Sequence, residues 1–296
     1  MNILNFGSLN LDFVYAVDHI ARPGETISSR HLNVLCGGKG LNQSLALARA
    51  GVAVAHAGMV GPDGGVLLEI LRNDGVDTAH VRRVEERSGS AFIQVDAAGE
   101  NSIVLFGGSN RQNTREHVDS VLSRFGSGDT LLLQNEINLL DYLIEKAADK
   151  GMRIVLNPSP FDEALDACDL TKISLFMLNE IEGGLMTGET RPEAILDALR
   201  RQYPNAGVVL TLGERGSFYR DAGKEARQEI FPVKAVDATA AGDTFTGYFL
   251  AARVEGETPQ EALRLASAAS AIAVSRPGAA VSIPSRAEVE ELMRHS

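Results

Sequence analysis

Tryptophan is absent from the 296-residue sequence, and cysteine occurs only twice, as Cys36 and Cys168. Two cysteines cannot build the disulfide framework of a small secreted domain, and neither lies in a cluster of metal-ligating residues. No apolar run reaches the ~18–20 residues that a membrane span requires, and the N-terminus lacks the basic and then apolar pattern of a secretory signal. These absences predict a cytoplasmic protein with no membrane partner.

Positive charge is also scarce, because 28 Lys and Arg residues face 39 Asp and Glu residues and give a formal net charge of −11. A general nucleic-acid-binding protein needs a basic surface, so we expect no nucleic-acid partner. Hydrophobic residues make up 44% and charged residues 23% of the chain, proportions that exclude a disordered or collagen-like protein. The length suits one large α/β domain or two small ones.

Short apolar runs alternate with amphipathic stretches along most of the chain. We predict strands at 2–6, 52–59, 130–133, 153–156, 175–178 and 207–212, and helices at 42–50, 63–73, 140–150, 192–202, 244–253, 259–274 and 286–294. This alternation is typical of an α/β fold with a mostly parallel central sheet and helices on both faces. Ligands of such sheets bind at the carboxyl ends of the strands.

Two regions, 12–35 and 90–106, show the alternation of β-strands without an intervening helix. We interpret them as extra strands that leave the main sheet and form a small lid over its carboxyl edge. Ordinary edge strands would give nearly the same pattern. Because no Pro/Ser-rich linker or internal repeat divides the chain, we expect a single domain that comprises residues 1–296.

The most informative segment is DATAAGD at 237–243. Its small residues, Ala240, Ala241 and Gly242, allow a backbone turn to approach a ligand closely. The predicted helix directs unpaired N–H groups and its positive dipole end at that turn, which attracts an anion. A carboxylate beside an anion, at Asp243, suits a base that takes a proton from a hydroxyl group attacking a phosphoryl group. A helix cap is the alternative.

A second glycine-rich segment, CGGKGLNQ, occupies residues 36–43 at the start of a predicted helix. It is not a P-loop, because Gly40 stands where Ser or Thr would hold Mg²⁺. Its glycines expose backbone donors, and the side chains of Lys39 and Asn42 can donate to hydroxyl oxygens. An unusually glycine-rich helix start is the alternative.

Further polar residues follow predicted strands. Asn10 and Asp12 are two positions apart, so an extended chain points both to one side, where they can hold neighbouring hydroxyl groups. Asn179 and Glu182 can organise Mg²⁺ and water around nucleotide phosphates, although a helix start often has the same residues. The segment TLGERG at 211–216 suits the close passage of a nucleotide, and a β-turn explains it equally well.

With these residues assembled, the chain resembles the ribokinase (PfkB) family of carbohydrate kinases over essentially its whole length. Residues 37–43 are similar to the family's first motif, GGKG-x-NQ, and residues 237–243 to its second, D-x-x-A-A-G-D. The resemblance implies a three-layer α/β fold with a β lid, and a homodimer formed through that lid. It also implies transfer of the γ-phosphoryl group of Mg²⁺-bound ATP to a sugar hydroxyl, with D-ribose the first candidate and K⁺ an activator.

The resemblance also implies roles for individual residues. Asp243 would be the general base, and the backbone of Ala240, Ala241 and Gly242 would form the anion hole. The sugar would be held by Asn10, Asp12, Gly38, Lys39, Gly40, Asn42, Glu136 and Asp243. ATP would contact Asn179, Thr211, Gly213, Gly216, Gly242 and Ser267, with Glu182 linked to Mg²⁺. The K⁺ site would comprise Asp237, Thr239, Ala273, Arg276, Gly278 and Ser282. Ser267 and Thr239 depart from the His and Ile that are common at these positions.

Several alternatives stay open at this point. The acceptor can be another pentose, a ketohexose, 2-deoxyribose or a nucleoside, for which bulky aromatic side chains near the lid offer a stacking surface: Phe13, Tyr15 and Phe106. A NAD-dependent dehydrogenase is disfavoured, because the first turn, at 7–12, lacks G-x-G-x-x-G. A sugar sensor without catalytic activity would have no need of a base at Asp243.

Overall fold

Two β-sheets and a set of surrounding helices make up the computed structural model, which describes residues 2–295. The strands are β1 (Ile3–Phe6), β2 (Asn10–Ala16), β3 (His31–Gly37), β4 (Val54–Val60), β5 (Asp77–Arg83), β6 (Gly89–Val95), β7 (Asn101–Phe106), β8 (Thr130–Gln134), β9 (Arg153–Asn157), β10 (Leu175–Asn179), β11 (Gly207–Thr211), β12 (Ser217–Arg220) and β13 (Glu225–Gln228). The helices are α1 (Lys39–Arg49), α2 (Gly65–Asn73), α3 (Arg115–Leu122), α4 (Leu140–Asp149), α5 (Glu180–Thr187), α6 (Pro192–Gln202), α7 (Ala241–Glu255), α8 (Pro259–Val274) and α9 (Arg286–Arg294). None of these helices has the length and apolar character needed to cross a membrane.

The large sheet has the strand order β13-β12-β11-β10-β9-β8-β1-β4-β5. The strands from β11 to β5 run parallel, and β12 and β13 continue the sheet as an antiparallel edge. All six strands predicted from apolar runs lie in the parallel part. The sequence patterns do not predict β5, β12 and β13, because these strands, at or next to the edges of the sheet, expose part of their side chains and include charged residues.

Hydrophobic layers cover both faces of this sheet. Along β8, Leu132 belongs to the layer that contains residues of α1, α7 and α8, whereas Leu131 and Leu133 belong to the layer that contains residues of α3, α4 and α6. This alternation follows from the geometry of a strand, whose successive side chains point to opposite faces. The three-layer α/β fold is therefore confirmed.

The smaller sheet has the order β3-β2-β6-β7, and its strands overlap the regions 12–35 and 90–106 that we predict as a lid. β2 pairs with β3 and β6 with β7 in antiparallel register, whereas β2 and β6 run parallel. Only residues 7–9 separate β1 from β2, so the small sheet leaves the carboxyl edge of the large sheet directly. This arrangement fits the lid. The organisation of the chain as one domain stays a prediction.

Helices α1 and α7 begin earlier than predicted. They start at Lys39 and Ala241, whereas the sequence patterns place their starts at residues 42 and 244. The residues before them, Gly38 and Ala240, have positive φ angles of 91° and 60°. Gly40 in the first turn of α1, and Gly242 and Asp243 in that of α7, are weak helix formers, which hides the turns from a sequence pattern. Both glycine-rich motifs therefore extend into the first turn of a helix.

Candidate active site

The start of α7 holds the segment predicted to bind an anion. Ala240 has a left-handed backbone, and Ala241 then begins the helix. The first N–H groups of a helix lack partners within it, and the space around the Gly242 Cα is open. Asp243 lies in the same turn and is only 7% exposed. A helix start and a buried carboxylate therefore adjoin here, while their roles in anion binding and catalysis stay predictions.

Helix α1 brings two side-chain amides to Asp243. Asn42 Nδ2 donates to Asp243 Oδ2 over 3.0 Å, and Gln43 Nε2 donates to Asp243 Oδ1 over 2.9 Å. The helices approach closely because Gly247 of α7 lies where any Cβ atom would collide with Ala46 of α1. Sequence analysis identifies Asn42 as a site residue and misses Gln43, although Gln43 ends the same glycine-rich motif.

A cavity of about 220 Å³ opens in front of Asp243. Lys39 and Asn157 line it on the side of α1 and β9. The other predicted site residues in its lining are Asn179, Glu182, Thr211, Ala240 and Gly242. The cavity therefore joins the predicted phosphate, magnesium and nucleotide residues in one space next to the carboxylate.

Three residues predicted to contact ATP lie outside the lining of this cavity. Gly213 and Gly216 belong to the turn after β11, and both have positive φ. A Cβ atom at Gly216 would collide with the backbone of Gln228, so this glycine allows β13 to pass closely. Ser267 is buried within α8. Gly216 has a packing role, and nucleotide contacts of these three residues stay predictions.

Asn179 and Glu182 form a capping box at the start of α5, the alternative given by sequence analysis. Asn179 Oδ1 accepts from Glu182 N over 2.9 Å, and Glu182 Oε2 accepts from Asn179 N over 3.0 Å. Both side chains nevertheless face the cavity. Within residues 2–295, no group of three or more His, Cys, Asp or Glu could hold a metal ion. One carboxylate beside an amide fits Mg²⁺, which binds mainly through phosphates and water.

Lys39 interacts electrostatically with three carboxylates, two of which also act on Asp12. Burial alone would lower the pKa of Lys39, but the charges of Asp243, Glu136 and Glu182 outweigh burial and raise it. Burial, followed by the negative charges of Glu136 and Asp243, raises the pKa of Asp12 to about 7. Burial also raises the pKa of Glu136, although the charge of Lys39 opposes it. The predicted sugar contacts are therefore electrostatically coupled to one another.

The glycine-rich loop before α1 fits tightly against the end of β1. A Cβ atom at Gly40 would collide with the backbone that follows β1, and Gly38 has the positive φ that favours glycine. This fit brings Lys39 N to 3.0 Å from Glu136 Oε2, which also accepts from Ser8 Oγ. The glycines therefore place Lys39 and Glu136 together, and their contacts with a sugar stay predictions.

A second cavity, of about 370 Å³, adjoins the small sheet and the carboxyl edge of the large sheet. Asn10 and Glu136 line it together with Asn110. Asn110 Nδ2 donates to Asn10 Oδ1 over 2.7 Å, so Asn10 presents its own Nδ2 donor on its remaining side. Asp12 lies two residues further along β2, on the same face as Asn10 and 8% exposed. This face offers a donor and an acceptor to neighbouring hydroxyl groups.

Two of the three aromatic residues considered for stacking on a larger substrate face away from this side. Phe13 and Tyr15 alternate with Asp12 along β2 and therefore lie on the opposite face of the small sheet. Phe13 stacks on Phe92, with ring centroids 5.2 Å apart. Phe106 does line the cavity. Packing within the lid therefore accounts for Phe13, and the stacking interpretation is wrong for Phe13 and Tyr15.

Sequence analysis misses polar residues that end the central strands. Gln134 ends β8 and Asn157 ends β9, and both are buried. Their position at the carboxyl edge of the predicted sheet is a signal that would have identified them. Asn110 has no such signal, because it follows no strand of the predicted central sheet.

The residues predicted to hold K⁺ come from two adjacent segments. Asp237 Oδ2 accepts from Gly278 N, and Asp237 Oδ1 accepts from Thr239 N, each over 2.9 Å. The Arg276 side chain forms an ion pair with Glu288 at 2.6 Å. Only the backbone carbonyl of Arg276 is therefore a suitable ligand for a cation. The remaining predicted ligands lie at the end of α8 and in the segment after it: Ala273 and Ser282.

Comparisons with known proteins agree with this architecture. The family model of the pfkB family carbohydrate kinases matches residues 2–286. The chain is 37% identical to the ribokinase of Haemophilus influenzae, over 98% of this chain and 97% of that protein. It is 30% identical to a deoxyribokinase of Salmonella typhi, over 99% of each.

A solved structure is similar over the whole length. The ribokinase of Arabidopsis thaliana, complexed with ribose and ATP, superposes with a TM-score of 0.87 at 31% identity and covers 100% of this chain and 99% of its own. The resemblance carried by the two glycine-rich motifs is thereby confirmed, and the dehydrogenase and sensor alternatives fall away. The chain belongs to the pfkB family and is an ATP-dependent carbohydrate kinase.

Proposed function

We propose that the protein transfers the γ-phosphoryl group of ATP to the O5 hydroxyl group of D-ribose. The observation that carries this proposal is the buried Asp243 carboxylate at the start of α7, which borders the cavity lined by Asn179 and Thr211. The choice of ribose as the substrate rests on the similarity to ribokinases, one of which has a solved structure with ribose and ATP.

In the proposed reaction Asp243 accepts the proton of the attacking hydroxyl group. The amides of Asn42 and Gln43 hold the two carboxylate oxygens, so the base is oriented before the sugar binds. The N–H groups at the start of α7 face the migrating phosphoryl group and stabilise its charge, together with the Lys39 ammonium. When bound beside Glu182, Mg²⁺ neutralises charge on the nucleotide phosphates.

The sugar is proposed to bind on the face of β2 that presents Asn10 and Asp12. Neighbouring hydroxyl groups then accept from Asn10 Nδ2 and donate to Asp12. 2-Deoxyribose is the second candidate, because the chain is also similar to a deoxyribokinase. It lacks one of the hydroxyl groups that such a pair would bind, and a site that hydrogen-bonds a hydroxyl group discriminates strongly against an analogue without it.

The test is ADP release with ribose, 2-deoxyribose, fructose and adenosine as acceptors. We expect ribose to give the highest kcat/KM and adenosine to give none above background. Asp243→Asn should lower kcat at least ~10³-fold, a rise in the barrier of about 4 kcal/mol, with an unchanged circular dichroism spectrum. Near-normal turnover of this variant would remove Asp243 from the mechanism, and equal rates with all four acceptors would refute the substrate.

A monovalent cation site is proposed beside the anion hole. The contact between Asp237 and Gly278 joins the turn before α7 to the segment after α8, so an ion held there would order the backbone of Ala240. Backbone carbonyls and a carboxylate are suitable oxygen ligands for K⁺. Assays at constant ionic strength should show higher kcat with K⁺ than with tetramethylammonium, and equal rates would contradict the site.

A homodimer is proposed to form through the lid. Directly paired residues Val34, Phe13, Phe92 and Val104 form one row on the face opposite Asp12, and three of them are 42–65% exposed. Exposed apolar faces of this kind commonly mark protein interfaces. Sedimentation should give a dimer that Val104→Lys weakens, and a monomer at high concentration would contradict the proposal. Because ATP is the donor, we also propose that the enzyme acts in the cytoplasm.

A further inference from the structure

A chain of buried amides (Asn5, Gln134 and Gln43), hereafter the amide chain, leads from the centre of the large sheet to Asp243. Gln134 Nε2 donates to Asn5 Oδ1 over 3.0 Å and to Gln43 Oε1 over 2.6 Å. Gln43 Nε2 donates in turn to Asp243 Oδ1 over 2.9 Å. All three amide residues are 0% exposed. Burying these polar groups costs free energy of desolvation, so their presence in the core calls for a functional explanation.

The orientation of the amide chain is dictated at one end by a backbone carbonyl. Asn5 Nδ2 donates to the Gly40 carbonyl oxygen over 2.8 Å, and a carbonyl can only accept, so Asn5 Oδ1 must face Gln134. Gln134 then has to present Nε2 to both neighbours. Its Oε1 has no hydrogen-bond partner among the described residues. If the Gln134 amide were turned over, Oε1 would face the Asn5 Oδ1 acceptor, and two acceptors cannot form a hydrogen bond. Gln43 Oε1 therefore faces Gln134.

A second backbone carbonyl fixes the other side of Gln43. Asn157 Nδ2 donates to the Met177 carbonyl oxygen over 2.8 Å, which leaves Asn157 Oδ1 to accept from Gln43 Nε2 over 3.2 Å. Both carbonyls thus require the same orientation of Gln43, with its Nε2 group directed at Asp243. The assignment of amide oxygen and nitrogen follows from the network as a whole.

We propose that Gln43 is a positioning residue for the phosphoryl transfer, held by the amide chain so that it fixes the Asp243 carboxylate in the orientation that accepts the hydroxyl proton. The proposal rests on the proposed function. Asn42 holds only Oδ2, and one donor leaves the carboxylate free to turn about its Cβ–Cγ bond. A second donor, itself fixed by the sheet, removes that freedom before the sugar arrives.

The test is a double-mutant cycle between Gln43 and Asp243. Gln43→Met retains the length of the side chain and removes both polar atoms. We expect kcat to fall about 10- to 100-fold, the range for losing a hydrogen bond to a charged group, while the KM for ATP and the calorimetric Kd for ribose stay within twofold. In an Asp243→Ala background the same change should alter the residual rate less than twofold. Gln202→Met, at the exposed end of α6, is the control.

The outcomes separate this proposal from the proposed function. Equal losses in both backgrounds would make Gln43 merely structural, and a Gln43→Met enzyme with normal kcat would overturn the proposal directly. An Asp243→Ala enzyme with normal kcat would overturn the catalytic role of Asp243 and the positioning role with it. Should Gln43→Met fail to fold, Gln134→Met removes the donor that holds Gln43, and it should lower kcat in the wild-type background only.

Discussion

Asp12 should make the protein less stable as the pH rises from acid towards neutrality. The residue is only 8% exposed, and burial, followed by the negative charges of Glu136 and Asp243, raises its pKa from 3.8 to about 7. The unfolded chain loses this proton near pH 3.8, whereas the folded chain keeps it until about pH 7. Between these values the folded state binds more protons, so the free energy of unfolding falls with pH and levels off above pH 7.

The magnitude follows from the size of the pKa shift. At 1.36 kcal/mol for each pH unit, a rise from 3.8 to about 7 corresponds to about 4 kcal/mol of stability that is present in acid and lost progressively by about pH 7. Because Asp12 is almost fully buried, solvent screening reduces this figure little. Asp12→Asn does not titrate, so the stability of the variant relative to wild type should increase by about 3 kcal/mol between pH 4.5 and pH 8, the part of this shift that lies above pH 4.5.

Urea unfolding at pH 4.5, 6, 7 and 8 measures this difference. Both proteins are compared at each pH, so the titration of all other groups largely cancels. Glu69→Gln, which removes an exposed carboxylate in the middle of α2, is the control for the loss of a negative charge. A constant difference between Asp12→Asn and wild type would refute the reasoning, because it would mean that Asp12 ionises as easily in the folded chain as in the unfolded one.

Gly247→Ala should force α1 and α7 apart and destabilise the fold by about 1–3 kcal/mol, with a lower Tm in thermal unfolding. Gly126→Ala, at a position with no atom within 4 Å of the new Cβ, should retain the wild-type Tm, and equal melting temperatures of the two variants would contradict this packing. Asn110→Ala should raise the KM for the sugar about tenfold, because Asn10 loses the donor that orients it. The KM for ATP should not change, and an unchanged sugar KM would remove Asn110 from the site.

The central strands could be predicted from the sequence because parallel strands buried on both faces are continuous apolar runs. Leu131, Leu132 and Leu133 of β8 are all fully buried, and three consecutive leucines in the sequence indicate such a strand. β5 could not be predicted in this way, since it contains Asp77 and Arg83 and is held by its pairing with β4. Local sequence carries no information about such a pairing.

The carboxylate that we propose as the base, Asp243, could be singled out from the sequence because its neighbours are small. Gly242 and the two alanines before it leave the backbone accessible to a ligand. Because these small residues are consecutive, the pattern is visible in the sequence. The contact between Gln43 and Asp243 could not be predicted, because it joins positions 200 apart in the chain. It depends on how closely α1 packs on α7. Gly247 permits this close packing, but its contact with α1 exists only in the folded protein.

Charge balance connects the two ends of the site. One ammonium, that of Lys39, lies among the carboxylates of Glu136, Glu182 and Asp243. A neutral polyol satisfies such carboxylates with hydroxyl donors and adds no charge, whereas bare nucleotide phosphates would be repelled. In the proposed reaction the phosphates therefore need Mg²⁺ and the N–H groups at the start of α7. The same excess of negative charge thus favours a sugar on one side and a metal-bound nucleotide on the other.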